Sequence, residues 1–108
     1  MRLTDTEIKA IEDSAKVFFS PGAMVRLFGS RLDDHRRGGD IDLLIETPDV
    51  LAPDDLVDKR NRFLARLYRI LGEQKIDVLI VPTEFPDERP IVHKAREKGI
   101  IIAKIPVE

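Results

Sequence analysis

The chain has no cysteine among its 108 residues. That excludes disulfides, zinc–thiolate centres and thiol catalysis. Long apolar runs are missing too. The longest uninterrupted aliphatic stretches hold about four residues, against the roughly 20 needed to span a bilayer. The opening segment, MRLTDTEIKAIEDSAK, is charged throughout and has no apolar centre, so it does not read as a signal peptide. A soluble, cytoplasmic protein with no membrane association is the expectation. Charge of one sign is also lacking: the formal net charge is −2, which offers polyphosphate no global attraction. Bulk binding of DNA or RNA is not expected, and any nucleotide site must be local. Two catalytic signatures are absent as well, the G-x-x-x-x-G-K-[ST] of a P-loop and the G-x-S-x-G of a nucleophile elbow.

What is present suits one small globular domain over residues 1–108, with 43% hydrophobic residues for a core and 35% charged residues for a surface. Thr4 with Glu7 reads as a capping box, followed by Ile8, Ile11 and Ala15 at helical spacing. Ser20-Pro21-Gly22 is a turn, and residues 23–28 form a strand that runs into Gly29-Ser30. Residues 33–39 are a polar loop. DIDLLIE, residues 40–46, is a second strand, bounded by Gly39 and Pro48. Pro53 opens a helix whose apolar stripe includes Leu56, Phe63, Leu64, Leu67 and Leu71, with Gly72 as its stop. KIDVLIV, residues 75–81, is a third strand ended by Pro82. A short helix runs from about Pro90 to Lys98, and the apolar run from Ile100 is either a final edge strand or a partner surface. The order is α-β-β-α-β-α-β, without internal repeat or interdomain linker.

The chemistry concentrates between Leu27 and Glu46. Asp40 and Asp42 lie two apart on a predicted strand and so share a face. Two crowded carboxylates repel, and a cation between them relieves that repulsion. Hard oxygen ligands select Mg2+ or Mn2+. In a chain with twelve aspartates one D-x-D is expected about once by chance, so the pair alone carries little. Asp77 strengthens it, because it interrupts KIDVLIV as Asp42 interrupts DIDLLIE. If the two strands are neighbours, three carboxylates meet, a set able to hold two divalent ions for displacement at phosphorus. Gly29 lets backbone approach a ligand closely, and a short helix opened by Ser30 would present N–H groups to a phosphate. Arg31, Arg36 and Arg37 could offset phosphate charge. His35, in the same loop, has no partner at helical or strand spacing.

Taken together, LFGSR, then GGDIDLLIE, then KIDVLIV resemble the DNA polymerase β-type nucleotidyltransferase superfamily. The match is nearest to its minimal subfamily, single small domains paired with a separately encoded HEPN-type helical protein. The likeness is strongest from Val25 to Val81, although the loop between Ser30 and Asp40 is slightly shorter than the subfamily pattern. The resemblance implies an α/β (α+β) nucleotidyltransferase fold, a mixed sheet of about four strands flanked by helices. It implies that Asp40, Asp42 and Asp77 are the catalytic metal ligands, with Asp77 also helping to activate the incoming hydroxyl. Gly29 and Ser30 would hold the triphosphate, with Arg31 beside them. The implied reaction transfers a nucleoside monophosphate, AMP from ATP, to a hydroxyl and releases pyrophosphate. The implied acceptor is a side chain of a HEPN-type partner, whose toxin activity is thereby silenced. A partner protein or a homodimer would complete the site. Two other readings compete: the same fold kept as a catalytically silent, nucleotide-binding or steric antitoxin, and an α/β domain of structural or RNA-binding type whose aspartates are incidental.

Overall fold

A computed structural model of the chain describes residues 3–32, 40–72, 74–83 and 86–107, without the side chains of Ser30 and Leu32. The polar loop with His35, Arg36 and Arg37, which the sequence marks as charge-offsetting, lies outside the described residues, as does the Ser30 hydroxyl.

The first helix, α1 (Asp5–Phe18), starts where the capping box puts it. The Thr4 hydroxyl accepts from the Glu7 N–H at 3.1 Å, and the Thr4 N–H donates to Glu7 Oε1 at 3.0 Å. Two otherwise unpaired N–H groups at the helix start are thereby satisfied. Strand β1 (Met24–Phe28) leads into a short 3-10 turn, Gly29–Leu32. Strand β2 (Ile41–Thr47) precedes α2 (Pro53–Leu71), which has proline in its first turn and ends at Gly72 with φ of +80°. Strand β3 (Ile76–Pro82), helix α3 (Pro90–Lys98) and strand β4 (Ile100–Lys104) complete the chain.

The four strands form one mixed sheet in the order β3-β2-β1-β4. β1 runs antiparallel to both β2 and β4, while β2 and β3 are parallel, with α2 as their crossover. The run from Ile100 is thus an edge strand. The predicted limits of β2 and β3 each move by one residue. Asp40 precedes β2, and Pro82 is the last residue of β3 instead of lying beyond it. Proline is tolerated there because β3 is an edge strand and the next donor, the Thr83 N–H, reaches the Thr47 carbonyl at 2.8 Å.

Both faces of the sheet are covered, which is why β2 reads as an almost continuous apolar run. Ile41, Leu43 and Ile45 face the larger core beneath α1 and α2, with Val25, Leu27, Val78, Ile80 and Phe63. Phe63 meets Phe19 edge to face, their ring centroids 5.6 Å apart. The alternate residues of β2 face α3. There Leu44 packs with Phe28, Val81, Val92 and Ala95 in a second, smaller cluster. Asp42 and Glu46 share this face with Leu44, one on each side of it along the strand.

Candidate active site

Asp42 sits where three elements converge. Across the antiparallel ladder it pairs with Phe28, the last residue of β1, and across the parallel ladder with Asp77 on β3. Directly opposed residues in a sheet share a face. The neighbourhood of strands that the sequence left conditional is therefore realised, with Asp42 and Asp77 directly opposed on neighbouring strands. Burial pushes the Asp42 carboxyl above the ordinary range of 3.8; the charges of Asp77 and then Asp40 push it further the same way, and Lys75 opposes them.

Gly29 follows Phe28 and has φ of +79°, a left-handed conformation that L side chains rarely adopt. A Cβ at this position would collide with Asp42 Oδ2. Glycine is therefore required twice over, by the backbone turn and by the close approach of the Asp42 carboxylate. The backbone of Gly29 and Ser30 forms the start of the 3-10 turn, and Arg31 belongs to the same turn. The Gly29-Ser30 turn, where a phosphate cradle is expected, thus lies against the Asp42 carboxylate.

Asp40 stands just outside β2, at the entrance to the strand. Its Oδ2 lies 3.4 Å from the Lys75 ammonium, and its side chain is 39% exposed. Among the described residues no three His, Cys, Asp or Glu side chains are drawn together as a metal cage. The donor set still suits a hard cation. It consists only of carboxylate oxygens, the charges of Asp77 and Asp40 both press on Asp42, and the missing Cβ of Gly29 is what lets the Asp42 carboxylate sit against the turn. Mg2+ characteristically takes one or two protein carboxylates and completes its shell with water and substrate phosphate, so an all-protein cage is not required.

Two features escaped the reading of the sequence. Lys75 is one; laying KIDVLIV beside DIDLLIE in the parallel register puts it level with Asp40, a signal available once the pairing is known. The other is Glu46, nearly inaccessible on the α3 side of the sheet. It accepts from Arg26 at 2.5 Å and from Arg96 at 3.1 Å, and Arg96 also donates to the Pro82 carbonyl at 3.0 Å. Its buried charge could have been suspected from its place at the end of an apolar strand, but its partners come from β1 and α3, far away in the sequence.

A small mixed sheet with helices on both faces, carrying an aspartate pair and a glycine turn at one strand end, defines an α+β domain consistent with a nucleotidyltransferase fold. The chain matches the nucleotidyltransferase domain model over residues 8–105, and it belongs to that family. Its general activity is accordingly nucleotidyl transfer, with a nucleoside triphosphate as substrate. No curated protein matches the chain. No described helix is long and apolar enough to cross a membrane.

Proposed function

We propose that this domain transfers a nucleoside monophosphate, AMP from ATP, to a hydroxyl on a HEPN-type helical partner protein, and that this modification is an antitoxin function. The observation that carries the chemistry is the Asp42–Asp77 pair across the parallel ladder, set against Gly29. Asp40, Asp42 and Asp77 would hold Mg2+ or Mn2+, which when bound offsets the charge of the phosphates and favours the deprotonated acceptor oxygen. Gly29, Ser30 and Arg31 would receive the triphosphate tail. Asp77 would take the proton of the acceptor hydroxyl as its oxygen bonds to the α-phosphorus and the bond to pyrophosphate breaks.

The test uses radiolabelled ATP with Mg2+ and the co-purified partner. Wild type should label the partner by one nucleoside monophosphate, seen in intact mass, and Asp42→Asn should lower the rate by about a thousandfold or more while its circular dichroism is unchanged. Full activity in the variant rejects the site. Silencing of the partner without any adduct, equal in wild type and variant, would instead establish a steric antitoxin.

A further inference from the structure

The carboxylate cluster carries an ion pair of its own. Lys75 is held beside Asp40 by the backbone: the Ile41 N–H donates to the Lys75 carbonyl at 3.0 Å, and the parallel register begins one residue on, with Ile41 beside Ile76. The ammonium then reaches Asp40 Oδ2 at 3.4 Å. This differs from a chance surface pair, because sheet formation itself brings residue 75 level with residue 40. The two side chains are also 73% and 39% exposed, so the ammonium can swing away without disturbing any packing. Lysine suits the role, being a compact charge on a flexible stem.

We propose that Lys75 is a resident counter-ion of the carboxylate cluster, which a divalent cation must displace from Asp40, and that Lys75 thereby sets the metal affinity of the site. The inference rests on the nucleotidyl-transfer reading. The physical basis is competition. Three carboxylates at one strand end repel one another, and in the absence of a divalent cation the ammonium relieves part of that repulsion. A metal ion entering the same place loses whatever Asp40 gains from Lys75 and also meets a positive charge nearby. The sign of the resulting effect is distinctive. A lysine whose task is to bind the nucleotide's phosphates would, when neutralised, weaken nucleotide binding and leave metal affinity alone. A resident counter-ion, when neutralised, makes the metal bind more tightly.

Mn2+ titration of the full chain without nucleotide, followed by electron paramagnetic resonance at low ionic strength, separates these cases. Lys75→Met should bind Mn2+ about three- to tenfold more tightly than wild type, the range expected for one partly exposed charge. Lys75→Arg, which keeps the charge, should stay near wild type. The gain should shrink as salt is raised, and it should be smaller when Lys75→Met is made in the Asp40→Asn background. Equal or weaker binding by Lys75→Met overturns the proposal, as does a gain that survives undiminished in the Asp40→Asn background. If neither protein takes up Mn2+ alone, the proposal also falls. A parallel titration with a non-hydrolysable ATP analogue then decides the reading beneath it: uptake there leaves nucleotidyl transfer standing, and its absence removes both.

Discussion

Asp42 is the residue on which most depends, and its environment has a consequence for stability. Its carboxyl is pushed up by burial first, then by Asp77 and Asp40. A group whose folded pKa lies above its unfolded value favours the fold while protonated, and that contribution is lost as pH rises through the folded pKa. At neutral pH the Asp42 charge therefore opposes folding. Asp42→Asn should raise the melting temperature at pH 7 by a few degrees, and the gain should vanish as pH falls below the ordinary carboxyl value of 3.8. Thermal denaturation across that range checks both signs. A variant less stable at pH 7 than wild type would show that the Asp42 carboxylate makes stabilising contacts that outweigh its repulsion. Loss of activity together with gain of stability is the mark of a residue retained for chemistry at the expense of the fold.

At the scale of elements, the clearest device is the fastening of α3 to the sheet. Apolar contact from Val92 and Ala95 supplies only a small cluster. The additional hold comes from Glu46, which gathers Arg26 of β1 and Arg96 of α3, the latter also anchored on the last carbonyl of β3. A buried carboxylate with two guanidinium partners contributes modestly in total, but removing one side of such a group leaves unpaired charge behind. Glu46→Gln should cost about 3 kcal/mol in urea denaturation, the usual penalty for breaking a buried pair. A cost below about 0.5 kcal/mol, the scale of an exposed pair, would mean that the two arginines find solvent freely. The same edge strand is also met from the α2 side. Arg60 of α2 donates to the Val78 carbonyl of β3 at 3.1 Å, so an outward-facing strand group is covered by a helix side chain.

For the whole molecule, a radius of gyration of 13.2 Å is what about 108 residues give when compactly folded. Site and core share the same strands: β2 and β3 hold the aspartates at one end and fill both clusters along their length. Ligand binding at those strand ends should therefore be felt globally. Mg2+ with ATP should raise the melting temperature, since a ligand at a hundred times its Kd stabilises by about 2.7 kcal/mol. EDTA should abolish the shift, and ATP without metal should produce little of it. A shift that is equal with and without EDTA would mean that nucleotide binds independently of divalent metal.

Much of this was legible in the residues because it depends on local chemistry. The capping box at Thr4, proline at the head of α2 and α3, Gly72 after α2 and the alternation of polar and apolar positions each act within a few residues, so each can be read directly. The Gly29 turn and the aspartates Asp40, Asp42 and Asp77 could likewise be singled out, as anomalies in apolar surroundings. Strand order, the parallel pairing of β2 with β3 and the register within it could not, because they arise from long-range packing that no short window contains. Only that register puts Asp42 beside Asp77 and brings Lys75 to Asp40. Only the fold joins Glu46 to arginines 20 residues before it and 50 residues after it. By itself the sequence determined which segments would be helix or strand and which charged residues stand out in apolar surroundings, since those follow from side-chain type and spacing. Tertiary structure decided which of the charges meet, because a carboxylate acquires its partners from whatever strand the folded sheet lays next to it.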